Sequence, residues 1–144
     1  MQIRLRKFYF RILLPPVAGL AVLLALRAGH LIQPVDLDRG RQLAPWLFLL
    51  AIVLAVAAPV YLRASFAHRM RKAHQTPSSD FYGFQRRLIG ISLASVYLLP
   101  VIGLVQLSQF YQSGVVLAAL YAIYYQYPSL RRLAFDRRLF RVLP

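Results

Sequence analysis

Three histidines and four aspartates are the residues of this chain whose side chains could carry metal, redox or acid–base chemistry; neither cysteine nor glutamate occurs. Without thiols, thiolate catalysis, disulfides and iron–sulfur ligation drop out. His68 and His74 stand six residues apart with Asp80 as their nearest acidic neighbour, and His30 belongs to a different polar segment. A bis-histidine haem needs two ligands at similar depth, so no cofactor and no metal is expected. Asp36 and Asp38 adjoin Arg39 and Arg41, which reads as a solvated turn rather than a catalytic carboxylate pair. No glycine-rich phosphate loop and no serine-centred nucleophile motif is present. The expectation is a protein with no catalytic residues and no enzyme activity of its own.

Arginine is what remains. Sixteen arginines and two lysines give a formal charge of +14 on 144 residues, yet 59% of the residues are hydrophobic and the mean hydropathy is +0.53. So apolar a chain is not expected to bind nucleic acid. The excess of arginine over lysine suggests a GC-rich bacterial source. Charge and apolar character are segregated: charge-free runs cover Ile12–Leu26, Gln42–Leu62 and Leu88–Leu130, and the basic residues lie between them.

A bilayer core of about 30 Å takes roughly 20 helical residues to cross. The second run holds one crossing. The third, 43 residues long, holds two joined by a turn, and "SQFYQSG" at 108–114 is the polar, glycine-containing cluster that places it. The first run is the shortest; a cleavable signal peptide competes for it. "RAGHLI" lacks a small-x-small cleavage pattern, so an uncleaved helix is read, with Pro16 in its first turn and the preceding "IRLRKFYFRILL" on or entering the membrane interface.

Lysine and arginine number four in 1–12, two in 33–44, six in 63–87 and five in 131–144. The positive-inside rule then puts residues 1–12, 63–87 and the tail in the cytoplasm and the 33–44 loop outside. The expected architecture is a single all-α membrane domain, residues 1–144, in the inner membrane. Its four transmembrane helices form two hairpins with both termini cytoplasmic. The tail "RRLAFDRRLFR" interleaves apolar residues with arginines as an interfacial amphipathic helix does.

Pro59, Arg63, Phe66 and Arg69 are echoed at Pro128, Arg132, Phe135 and Arg138, all at an offset of 69. Duplication of a hairpin (8–70 and 81–139) is one reading. Convergence on interface chemistry, where arginine snorkels and aromatics sit at headgroup level, is the other. Helix packing is expected at Ala51, Ala55 and Ala58, at Gly90 with Ala94, and at Ala118 with Ala122. Tyr121, Tyr124 and Tyr125 share one helical face and could bond to Ser92, Ser95 or Tyr97.

Two sets of polar residues are the candidate contacts. One is the basic face: Arg63, Arg69, Arg71, Lys72, Arg86 and Arg87 in the central segment, with Arg131, Arg132, Arg137, Arg138 and Arg141 in the tail. Its expected partners are anionic lipid headgroups or an acidic segment of another membrane protein. The other is Arg27 with His30, one turn apart at the end of the first run, a candidate intramembrane polar site. The leading functional expectation is a non-catalytic accessory or assembly subunit of a membrane complex, partnered by another membrane protein or by itself. The alternative is a small homo-oligomeric transporter or channel for an anion or a lipid-linked phosphate. A headgroup-processing membrane enzyme is a weaker third, lacking a carboxylate cluster.

Overall fold

The computed structural model describes residues 2–32, 38–71, 77–105 and 107–142, and for 38–41 the backbone alone. It is all-α, with five helices among the described residues. Helix α1 is Gln2–Ala28. Helix α2 runs without interruption through Asp38–Ile52, a π-helical segment Val53–Ala57, and Ala58–Met70. Helix α3 joins Ser78–Leu93 to Leu98–Leu104 through a tight 3-10 turn, Ala94–Tyr97. Helices α4 (Gln109–Tyr125) and α5 (Leu130–Leu139) complete the chain.

Helices α1, α2 and α3 are long and apolar enough to cross a membrane. Half of the most apolar window of α3 is buried, against 17% for α1 and 22% for α2. Helix α3 is therefore the central post, and α1 and α2 turn most of their leucines and valines outward. In lipid such faces carry no penalty, and association relies on close packing instead. That packing is a seam of small residues. Ala51 and Ala55 of α2 meet Ser92, Ser95 and Val96 of α3 and Val115, Ala118, Ala119 and Ala122 of α4, and all of these are buried. Ala58 is only half-buried, and a Cβ at Gly90 would meet nothing within 4 Å, so neither residue belongs to the seam.

Three sequence expectations need correcting. The break after α3 lies between Leu104 and Gln109, and 108–114 is not a turn: Gln109 already begins α4. Gly114 is helical, and its missing side chain serves packing, since a Cβ there would collide with the Phe48 ring. Second, residues 2–11 continue α1 rather than forming a separate interfacial segment. Leu5 and Tyr9 are buried in the core, and Pro15 and Pro16 stand mid-helix instead of in a first turn.

Third, α3 answers the mid-helix prolines with hydroxyls, and the tyrosine face of α4 does not receive them. Pro16 offers no N–H to the carbonyl of Ile12, four residues back; Tyr97 Oη donates to that oxygen at 3.0 Å. Pro59 likewise offers none to Ala55, and Ser92 Oγ donates there at 3.4 Å. Ser95 donates to the Ser92 carbonyl, while Tyr121 stacks on Tyr125.

Candidate functional site: the basic end of the bundle

The N-terminus of α1, the end of α2, the start of α3, the end of α4 and all of α5 meet at one end of the molecule. Arg4 and Arg137 share a recess with Ser78 and Tyr82; Arg69 and Arg87 share another with Asp80. The basic segments, far apart in sequence, are thus neighbours in space. Arg27 and His30 lie at the other end of α1. His30 is exposed and left-handed (φ 55°), its N–H bonded to the Arg27 carbonyl and that of Leu31 to Leu26. This is a Schellman close with histidine where glycine is usual. Lys72, His74 and Asp36 lie outside the described residues. No group of three or more metal-ligating side chains occurs among the described ones.

The C-terminus of α4 organises the basic end. A helix leaves its last four carbonyls without a donor from within the helix, and here each of residues 122–125 finds one from beyond it. Gln126 N–H bonds to Ala122, and Tyr9 Oη of α1 bonds to Ile123 at 2.7 Å. Arg132 of α5 takes both Tyr124 and Tyr125. A guanidinium at this position also offsets the negative pole of the helix. Arg132 is thus tied into the structure, with the Tyr124 and Tyr125 rings against its guanidinium at 5.4 and 5.0 Å.

Helix α5 docks through Leu133, Asp136 and Phe140. Phe140 sits among Phe66 (5.1 Å between centroids), Phe84 (5.8 Å) and Phe81 (6.2 Å), and Phe66 stacks on Phe84 at 4.1 Å. Asp136 is buried at 6% exposure, where an unpartnered carboxylate is costly. Its Oδ2 accepts from Gln85 Nε2 at 2.8 Å and faces Arg63 Nη2 at 3.6 Å. Arg63 also lies 5.5 Å from the Tyr125 ring centroid, so both echoed arginines, Arg63 and Arg132, reach one tyrosine. Arg69 and Arg138 are both exposed, while the two remaining echoed pairs diverge. Phe66 is core and Phe135 is 65% exposed; Pro59 lies inside a continuous helix and Pro128 in the break between two.

Among the sequence candidates, Arg86 packs over the Phe8 ring at 4.7 Å. Arg69, Arg71, Arg87, Arg131, Arg137, Arg138 and Arg141 are exposed. Sequence reasoning missed Asp136 and Gln85 as partners of Arg63. The available signal was an aspartate and a glutamine, each on the otherwise apolar stripe of an amphipathic helix. Beside these groups lies a recess of about 520 Å³ lined by Arg63, Arg71, Arg141 and Asp136 with Met70 and Phe140. Chemically it can hold an anion against several guanidinium groups.

A larger, apolar groove of about 790 Å³ opens between α2 and α4, walled by Phe48, Ile52, Val56, Phe110, Leu117 and Tyr121. The fold is all-α, and its three candidate transmembrane helices suggest a multi-pass membrane protein. Comparison with known protein families, with characterised proteins and with solved structures returns no match for this chain.

Proposed function

We propose that this is a four-crossing bacterial inner-membrane protein, both termini and the 71–77 connection cytoplasmic, serving as a non-catalytic accessory or assembly subunit of a membrane complex. Helix α4, at 17 residues, is the fourth crossing; at about 1.5 Å per residue it reaches about 25 Å, the lower end of what spans a bilayer. The basic end is the cytoplasmic one under the positive-inside rule.

The observation that carries the accessory role is the α2/α4 groove. It is apolar, open to the side of the bundle and away from the basic end, with Gln109 and Ser113 as its polar edge. A groove of this form suits a helix from another membrane protein, its contacts made by packing against the exposed Phe110, Leu117 and Val56.

A photo-crosslinking side chain at Leu117, in the groove, and another at Leu14, exposed on α1, test this in native membranes. The expected result is one discrete heterologous protein adduct from position 117 and lipid adducts from position 14. A ladder of self-adducts from 117 overturns the accessory reading in favour of a homo-oligomeric transporter or channel. Lipid adducts alone from both positions overturn it as well.

A further inference from the structure

We propose that the recess between the end of α2 and α5 is a binding site for the phosphate group of an anionic glycerophospholipid. The inference rests on the reading above in one respect, that the basic end lies at a leaflet's headgroups. Three guanidinium groups and one carboxylate line the recess. The carboxylate, Asp136, is already engaged by Gln85 and Arg63. Arg63 is held by Asp136 and the Tyr125 ring, and among the described residues its buried Nε–H has no acceptor.

Arg141 supplies an independent observation. It has φ 47° and occupies the left-handed position that closes α5, with the Val142 N–H bonded to the Arg137 carbonyl and its own to Arg138. Glycine takes that position without strain, and an L-residue does not. A cation for the helix's negative pole is no explanation, because Arg137 and Arg138 already provide it in the last turn. Residues with such backbone strain gather at ligand sites; His30 shares the conformation at the end of α1, and what sets Arg141 apart is that it lines this recess beside Arg63 and Arg71. Here the strain places a third guanidinium on the recess.

The walls decide between a free anion and a lipid. Ala64, Ala67, Met70, Leu139 and Phe140 make up the remaining lining. Arg63 follows directly on the charge-free run that ends at Leu62, which sets the recess at headgroup depth. A phospholipid satisfies both parts, its phosphate on the arginines and its glycerol and first methylenes on the apolar wall. Inorganic phosphate would use only the first.

The test uses the full-length protein in detergent and counts retained phosphatidylglycerol by native mass spectrometry during delipidation with a zwitterionic detergent. Arg63→Gln and Arg141→Gly should each lower retention about tenfold, the loss of one charge-assisted hydrogen-bonded contact. Arg131→Gln and Arg138→Gln, equal changes of charge outside the recess, should leave it within twofold of the parent, on the order of a screened surface contribution. Asp136→Asn keeps an oxygen for Gln85, removes the competing charge, and should raise retention.

Arg141→Gly should also hold or raise the thermal midpoint, since it relieves a left-handed residue. A purely structural arginine would not separate stability from binding in this way. Equal losses for all four arginine variants overturn the site in favour of bulk charge. Displacement of the lipid by inorganic phosphate at constant ionic strength overturns the lipid assignment. Retention in detergent is blind to orientation and to protein partners, so it can fail while the topology and the groove reading stand, and the reverse.

Discussion

At the scale of single residues, the hydroxyls of α3 are the interactions with the sharpest consequence. A proline inside a helix removes one backbone donor, and in lipid no water replaces it. Tyr97 makes good that loss for Ile12. Tyr97→Phe should therefore cost about 1 kcal/mol in detergent unfolding, the scale of one intramembrane hydrogen bond. In a Pro16→Ala background, where the backbone N–H of residue 16 is restored, the same change should cost nothing measurable. A double-mutant cycle on the thermal midpoint reads the coupling; additive effects would show that the hydroxyl does not serve the proline. The prolines could be read from the sequence, and their partners could not. Tyr97 lies 85 residues from Ile12 and Ser92 lies 37 from Ala55, separations that no local pattern encodes.

At the scale of elements, two glycines with the same sequence look have opposite surroundings. A Cβ at Gly114 collides with the Phe48 ring, which packs 6.0 Å from both Phe110 and Tyr111, while a Cβ at Gly90 meets nothing. Alanine gains about 1 kcal/mol of helix propensity over glycine, and overpacking costs about 1–3 kcal/mol. Gly90→Ala should thus stabilise the protein and Gly114→Ala destabilise it by about 1 kcal/mol, measured as thermal midpoints in one detergent. A stabilised Gly114→Ala would mean that Phe48 yields freely. Sequence pattern alone inverts these two sites, taking Gly114 for a turn and Gly90 for a contact. Glycine marks permissive backbone and close approach alike, and only the neighbouring helix distinguishes them. The tail is a mixed case. Its amphipathic helix could be read from the spacing, but its docked stripe is Leu133, Asp136 and Phe140. The aspartate belongs to the buried stripe because Gln85 and Arg63 wait for it.

At the scale of the whole molecule, composition carried the argument furthest. Segregated charge and apolar runs are enough to anticipate an all-α, multi-pass chain, because bilayer thickness and backbone satisfaction leave few other solutions. Orientation follows from the same counts as an expectation. Reporter fusions at Gln75 and at Pro144 should both report the cytoplasm and a fusion at Asp38 the opposite side; a C-terminus on the outer face would sink the four-crossing arrangement. The site was less legible. The arginines could be named, but which are committed to capping and stacking (Arg132, Arg86) and which line a recess (Arg63, Arg71, Arg141) depends on how five elements meet.

The central position of α3 also has a meaning in time. A chain is made from its N-terminus, so α1 and α2 are complete while Ser92 and Tyr97 have yet to be translated. Through that interval the carbonyls of Ile12 and Ala55 face a proline on one side and no hydroxyl on the other. The first two helices are thus born as acceptors awaiting donors, and the third, on arrival, claims both. Synthesis order and hydrogen-bond order coincide, which makes the newborn first half a fragment that must wait for the second.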